Sequence, residues 1–413
     1  MNKVDFDLVI IGAGPAGSVA AINLLNQGYR VLLIDKAKFP RDKPCGGGIS
    51  IRLLERFPYL IGDLKRISVN YVRRIRLESP SGYVVTASRS DPLYLMIRRC
   101  DFDTMLVEIC KRGGITVRES MMITKILYKP DYVEIVARDG TVMRAKMIIG
   151  ADSVNSVVAK SAGLIRTWSP EQVALDMMEE TSYANLNFNA RDTMHVYYGF
   201  QKAIGYGYIF PKENHINLGV GFLLSFFKER IGGRPYKSHC AFVDFLIREK
   251  IVKGESHPEN FMAYLIPVGG PLQRTYADRT LLCGDAAGFV NAFTAEGIYY
   301  AMVSGELAAK TALASLSRDI YSRDFLAQYQ GLWEKEFGNE LRSAVKIQKI
   351  LFADMSRIDR VVKAAAQNKR LGSLLTDFAT GNLDYSTLKK KLLFHFFGFY
   401  LKYKIRKYVP WKY

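Results

Sequence analysis

Cysteine is scarce in this chain of 413 residues: Cys45, Cys100, Cys110, Cys240 and Cys283 are the whole set. They are odd in number, scattered and without a C-x-x-C pair, which excludes a disulfide framework and a zinc site and points to a reducing, cytoplasmic compartment. No charged-then-apolar leader precedes the first apolar run, so secretion is not expected. Long apolar runs are missing too. The strongest one near the C-terminus, Leu392 to Leu401, has ten residues and contains His395, whereas a membrane-spanning helix needs about 20. There are no internal repeats and no low-complexity linkers, and no metal site is expected.

What is present begins at once. Residues Asp7 to Asp35 read as strand, glycine turn, helix and strand, with Leu8 to Ile11 feeding Gly12-Ala13-Gly14-Pro15-Ala16-Gly17 and Val31 to Ile34 closed by Asp35. Each part has a physical reason. Gly12 permits the tight turn, Gly14 lets backbone approach a pyrophosphate, and Gly17 lets helix pack close on strand. A helix N-terminus attracts the anion, and Asp35 stands at the spacing of a carboxylate for ribose hydroxyls. The bare glycine pattern is weak and could mark a structural turn, but the ordered set of five features favours dinucleotide binding.

Charge is plentiful and uneven. The chain carries a net charge of +18, and from Leu341 onward 16 Lys and Arg face four acids. Such an excess suits a polyanion, either nucleic acid or an anionic lipid surface. In the tail, basic clusters flank an aromatic block, which favours a segment lying in a membrane surface over nucleic acid. The bland reading is a packed C-terminal helix with a solvated basic face.

Between these ends the chain reads as mixed α and β. Pro40 and Pro44 break regular structure, and Gly46-Gly47-Gly48 offers backbone that can lie flat on a ligand. Arg52 to Leu60 reads as a short helix ending near Pro58. Val69 to Leu77 and Tyr83 to Ala87 read as two strands joined at Ser79-Pro80-Ser81-Gly82. Phe102, Leu106, Ile109 and Cys110 fall at helical spacing in a helix beginning near Asp101 and ending at Gly113-Gly114. Strands follow at 115–118, 122–128, 132–137 and 143–149. Beyond Glu296 the pattern is helical.

Several further patterns occur in order: Pro44-Cys45-Gly46-Gly47-Gly48, Arg99-x-x-Phe102-Asp103, Gly150-Ala151-Asp152-Ser153-x-x-Ser156, Tyr206-x-Tyr208-x-Phe210-Pro211, Pro267-x-Gly269-Gly270-Pro271, and Gly284-Asp285-Ala286-Ala287-Gly288 with Glu296-Gly297-Ile298. With the first motif they resemble the geranylgeranyl reductase family of flavoproteins, within the superfamily of p-hydroxybenzoate hydroxylase. The resemblance covers nearly the whole chain. It implies an α/β fold: a Rossmann-like FAD-binding domain (1–62, 90–165 and 266–320) interleaved with an antiparallel β-sheet substrate domain (63–89 and 166–265). A C-terminal helical region with the basic tail (321–413) follows.

The same resemblance assigns FAD contacts to Gly12, Gly14, Ala16, Gly17, Asp35, Cys45, Gly46, Gly48, Arg99, Ile123, Asp285, Gly297 and Ile298. Arg99 suits diphosphate or ribose oxygens because its donors form a rigid fork, Asp285 would accept from the ribityl chain, and Ile123 would meet adenine through backbone. The bland alternatives are a surface salt bridge for Arg99 and a helix cap for Asp285. Asp152 reads as supporting the fold, since Ser153 stands where the superfamily pattern has glycine.

The 165–265 region is expected to touch substrate. Three short runs, His195 to Phe200, Tyr206 to Pro211 and Ile216 to Phe222, read as a curved antiparallel sheet whose aromatics favour an apolar ligand. The family pattern there is P-x-x-Y-x-W-x-F-P; this chain has Ala203 at the first position and Tyr208 for the tryptophan. The implied reaction is reduction of isoprenoid C=C bonds in a prenyl lipid, with hydride from N5 of reduced flavin and a separate proton. Catalytic candidates are Cys45, as proton source beside the flavin, and Tyr206 and Tyr208, whose rings could stabilise developing cationic charge. No second G-x-G-x-x-G follows residue 35, so electrons come either from NAD(P)H bound transiently or from a donor protein such as reduced ferredoxin. Two alternatives share the scaffold: a flavin monooxygenase of an apolar substrate, and a non-catalytic prenyl-lipid escort.

Overall fold

A computed structural model of the protein describes residues 4–379 together with Leu383, Thr387, Leu388, Lys390 and Lys391. The expected interfacial tail, including Leu392 to Leu401, lies outside the described residues.

The N-terminal apolar runs become the middle of a parallel sheet. Phe6–Ile11 pairs in parallel with Val31–Ile34 on one side and Val142–Gly150 on the other, and Thr116–Arg118 and Thr280–Leu282 extend the sheet in parallel outward. Leu8, Val9 and Ile10 are fully buried. Covered on both faces, such strands read as continuous apolar runs rather than alternating ones. Ile123–Tyr128 and Val133–Ala137 form an antiparallel extension off Val142–Gly150.

Helix Pro15–Ile22 packs on the long helix Ile298–Arg318. Their crossing is close because Gly305 has no side chain: a Cβ there would lie 2.2 Å from the Ala16 carbonyl oxygen. The sequence-distant segment that closes the FAD-binding pattern is thereby clamped onto the first motif.

A second sheet of seven strands runs in the order Phe261–Pro267, Val173–Ser182, His215–Leu223, Gly205–Pro211, Thr193–Tyr198, Arg74–Glu78, Val84–Ser88. Its neighbours are antiparallel except Thr193–Tyr198 with Arg74–Glu78. One face receives helix Pro235–Arg248, whose Phe242 and Leu246 pack in one apolar cluster with Ile209, Leu218 and Val220. The other face looks into a cavity. Helix Ser356–Gln367 lies on Val84–Ser88, with Ile358, Val362 and Ala365 clustered about Val85, and so covers the free edge of the sheet.

Three local expectations change. The run Val69 to Leu77 is two strands: Val69–Val72 joins Gly48–Ser50 and Tyr94–Ile97 in a separate three-stranded sheet, and the chain crosses at Arg73 to begin Arg74–Glu78. No Gly or Pro marks that crossing. The helix expected from Asp101 spans Arg99–Arg112, and Arg52 to Leu60 splits into Arg52–Arg56 and a 3-10 turn at Pro58–Leu60. Strand Val173–Ser182 carries too little alternation to be read in advance.

Candidate functional site

A single cavity of about 650 Å³ runs from the glycine turn to the aromatic face of the second sheet. At its first end the three glycines separate by role. A Cβ on Gly12 would sit 2.2 Å from the Ala151 carbonyl oxygen, and one on Gly17 would sit 1.8 Å from the Gly12 carbonyl oxygen. Those two are required by the fold itself. On Gly14 the nearest atoms would be the Arg41 and Arg99 guanidinium tips, 3.8 and 3.9 Å away, so its lack of a side chain leaves open a cradle that no protein atom fills.

Asp35 accepts the backbone N–H of Ala13 through Oδ2 and that of Ala37 through Oδ1, each at 2.9 Å. It fixes the glycine turn while still lining the cavity. Arg99 makes a two-pronged pair with Asp103 at 2.8 and 2.7 Å, and Arg41 reaches the same fully buried carboxylate at 3.1 Å. The bland surface salt bridge is therefore wrong in kind: Arg99 is buried and braced. Arg41 was not singled out from the sequence. Its buried Nη1 has no hydrogen-bond partner among the described residues, and a buried guanidinium nitrogen beside an open glycine cradle fits a diphosphate.

The later motifs meet the first ones here. Asp285 lies in a 3-10 turn after Thr280–Leu282, with its Oδ1 3.7 Å from where a Gly297 Cβ would be. Gly297 and Ile298 open helix Ile298–Arg318 at the cavity wall. Ile123, the first residue of its strand, and Ala16 also line it. Asp152 borders the cavity but spends its oxygens on the start of helix Val157–Ser161, accepting from the Ser156 hydroxyl at 2.5 Å and the Val157 N–H at 2.7 Å. Ser153 sits at φ +68°, a conformation that favours glycine, which accounts for the glycine of the pattern. Here its hydroxyl donates to Asp285 Oδ2 at 3.2 Å and accepts from the Tyr264 hydroxyl at 3.3 Å.

The Cys45-Gly46-Gly47-Gly48 stretch is held from beneath. A Cβ on Gly46 would lie 2.7 Å from the Phe210 ring, and one on Gly47 would lie 2.2 Å from the Ile97 carbonyl. Gly47 N–H donates to Cys45 Sγ at 3.4 Å, and Lys212 Nζ donates to the Gly46 carbonyl. Burial pushes the Lys212 ammonium down to about 8.

Alternation puts Tyr206, Tyr208 and Phe210 on the cavity face of their strand, with Tyr208 and Phe210 centroids 4.7 Å apart. Tyr206 donates its hydroxyl to the Thr294 carbonyl at 2.7 Å. Tyr208 donates to the carboxylate of Asp176, 3.3 Å from each oxygen. Asp176 went unnoticed in the sequence. It is 5% exposed, and burial pushes its carboxyl up to about 7. Lys43 Nζ lies 3.4 Å above the Tyr264 ring, with its own value pushed down to about 8 by burial.

The arrangement combines an open cradle at Gly14, a half-buried carboxylate, Asp285, beside a helix start, and a chamber continuous with both. Comparison with known proteins agrees. Residues 5–331 match the model described as FAD binding domain. Digeranylgeranylglycerophospholipid reductase 1 of Methanopyrus kandleri is 32% identical over 354 residues, 84% of this chain and 91% of that protein. Digeranylgeranylglycerophospholipid reductase of Methanococcus vannielii is 27% identical over 84% and 86% of the two chains. A solved geranylgeranyl bacteriochlorophyll reductase-like protein from Thermoplasma acidophilum shares the fold with a TM-score of 0.79 at 21% identity, covering 94% of this chain and 98% of that one. The match over residues 5–331, with this similarity over most of both chains, means that the chain belongs to the FAD-binding flavoproteins and, among them, to the geranylgeranyl reductase family.

Proposed function

We propose that this chain is an FAD-dependent reductase of isoprenoid C=C bonds in a geranylgeranyl-bearing lipid. The observation that carries the reading is the continuity of one cavity from the Gly14 cradle to the Tyr206, Tyr208 and Phe210 face, in a chain similar to proteins named for reducing digeranylgeranylglycerophospholipid.

FAD, when bound, supplies the hydride. The residues that would hold it are Gly14, Arg99, Arg41 and the Pro15 helix start at the diphosphate, Asp35 at a ribose, Ile123 at adenine and Asp285 at the ribityl chain. Gly46, Gly48, Gly297 and Ile298 would present backbone to the ring. The protein's own task is to exclude water from the alkene, hold it against that face and deliver a proton. An isolated trisubstituted alkene accepts hydride poorly, so protonation leads or accompanies transfer and positive charge develops on the tertiary carbon. Tyr206 and Tyr208 present ring faces to that charge, worth about 0.5–2 kcal/mol. Cys45, half-buried beside the Gly46 backbone, is one candidate proton source.

The electron donor is either NAD(P)H or a protein such as ferredoxin, and the enzyme works at a membrane surface reached through its basic tail. Among the described residues no helix is long and apolar enough to cross a membrane. Removing 389–413 should release the protein from anionic vesicles and leave the flavin spectrum intact. Partitioning that survives the deletion would sink the tail assignment.

The reaction is tested anaerobically with reduced flavin and a geranylgeranyl lipid. The flavin should reoxidise while the lipid gains two hydrogens per bond, with deuterium from N5 on one carbon and solvent deuterium on its neighbour. Incorporation of oxygen on admitting air would instead mark a monooxygenase, and lipid binding without either event would mark an escort.

A further inference from the structure

Asp176 is a buried acid that lines the chamber on its sheet side and, unlike the buried Glu296 of the same cavity, has no arginine paired with it among the described residues; nothing in the sequence motifs points to it. Three strands build its setting. Asp176 lies on Val173–Ser182 directly opposite Gly221 of one neighbouring strand and Tyr264 of the other. Gly221 supplies no side chain to cover it, the nearest approach of a Cβ there to Asp176 Oδ1 being 3.8 Å. The Tyr208 hydroxyl reaches Asp176 from two strands away, and it does so over Gly219, where a Cβ would lie only 2.8 Å from that hydroxyl. Two glycines in one strand thus open the carboxyl to the cavity and admit the phenol that holds it.

We propose that Asp176 is the proton donor to the alkene and that Tyr208 is its positioning residue; this rests on the reductase reading above. The Asp176 O–H bond breaks as a C–H bond forms at the less substituted carbon, and the electron pair of the alkene moves into that bond. Hydride supplied by the reduced flavin completes the tertiary carbon. The carboxylate left behind is stabilised by the Tyr208 O–H and is reprotonated from solvent before the next bond. The Tyr208 ring also lies beside the Gly46 backbone, 3.5 Å from where a Gly46 Cβ would be, so the same side chain stands between that loop and the acid.

The groups facing Asp176 are Tyr208 and Tyr206 from one strand, Tyr264 from another and Lys43 from the loop before Cys45, while the intervening strand offers only Gly219 and Gly221. Desolvation of the carboxylate outweighs the Lys43 charge and the Tyr208 hydrogen bond, which keeps the acid largely protonated up to near neutrality. A carboxyl protonated near working pH is what general acid catalysis requires.

Two measurements on the full-length holoenzyme decide the matter. With oxidised flavin and no turnover, infrared difference spectra across pH should show a protonated carboxyl band that titrates near neutrality. The band should be missing in Asp176→Asn, and in Tyr208→Phe it should titrate at higher pH, because the carboxylate has lost its donor. In single-turnover reoxidation by a geranylgeranyl lipid, Asp176→Asn should slow by about 100-fold or more and Tyr208→Phe by about 10-fold, with flavin content and flavin reduction unchanged. A band that titrates in the ordinary carboxylate range, or an Asp176→Asn enzyme as fast as wild type, overturns the proposal alone. Wild type that leaves the lipid unreduced overturns the reductase reading and the proposal together. Should Asp176→Asn fail to fold, Tyr208→Phe carries the test, and an unchanged band with an unchanged rate in that variant overturns the proposal.

Discussion

The two ends of the cavity are built on different principles. At the dinucleotide end the turn is shaped by backbone: Gly12, Gly14 and Gly17 act by what they lack, Asp35 holds the turn through neighbouring N–H groups, and Arg41 and Arg99 stand beside the open cradle. At the sheet end the walls are side chains on alternate positions of strands, with Tyr206, Tyr208 and Phe210 of one strand brought together with Asp176 of another. A ligand common to many proteins can be met by backbone geometry, which tolerates drift in the surrounding residues. A ligand particular to one enzyme is met by side chains, and their identities can change without disturbing the fold.

That contrast is exposed most sharply within the glycine turn. Gly14→Val should fold normally and bind no flavin, because its Cβ enters the open cradle with its nearest neighbours, the Arg41 and Arg99 guanidinium tips, 3.8 and 3.9 Å away. Gly17→Val should instead fail to fold, its Cβ colliding with the Gly12 carbonyl. Flavin absorbance and thermal melting distinguish the two, and a yellow Gly14→Val protein would refute the cradle. Asp285→Ala, which removes one charged acceptor, should weaken flavin affinity by roughly 10–100-fold, corresponding to about 1.5–3 kcal/mol; unchanged affinity would make Asp285 a purely local partner of Ser153.

At the sheet end the largest effect is on pH dependence. Asp176 has its folded-state value raised to about 7, above the roughly 3.9 of an unfolded carboxyl. The folded protein therefore holds the proton more tightly, and the stability this provides is complete below about pH 4 and lost as pH rises through about 7. Denaturant melts should show wild type losing up to roughly 4 kcal/mol relative to Asp176→Asn across that window. Parallel curves for the two proteins would mean that the carboxyl is solvated.

A smaller effect is expected at Tyr206. Tyr206→Leu keeps an apolar wall but loses the hydrogen bond to Thr294, at about 1 kcal/mol of stability. If the ring faces a developing cation, lipid reduction should slow by about 10-fold while flavin reduction stays normal. Equal rates would confine Tyr206 to packing.

The backbone-built end was largely legible from the residues, and the side-chain-built end only partly so. A glycine turn states its requirement within six residues, and the strand, helix and acid around it follow at short range. The aromatic alternation of Tyr206, Tyr208 and Phe210 was also visible, being local. Asp176 was not, because its burial is set by pairing with Gly221 and Tyr264, and its hydrogen bond is to a residue 32 positions away. Lys212 follows a proline in what reads as a turn, yet it is 2% exposed beneath the Gly46 backbone. The break at Arg73 was hidden for a related reason: two sheets receive one apolar run, and no residue in the run says where they divide.

Interleaving also sets the order in which the protein can be made. The first strand leaves the ribosome early, but Val142–Gly150, which it pairs with, waits for Thr280–Leu282, and the helix that clasps the first motif begins only at Ile298. At about 5–20 residues per second, the nascent chain spends roughly 10–60 s with apolar strand edges unpaired. During the same interval Arg74–Glu78 waits for Thr193–Tyr198. Neither half can be completed before the other has been largely synthesised, so biogenesis should depend on chaperone protection through most of translation, and any fragment ending before the 298–318 helix should emerge as an aggregate rather than as a smaller enzyme.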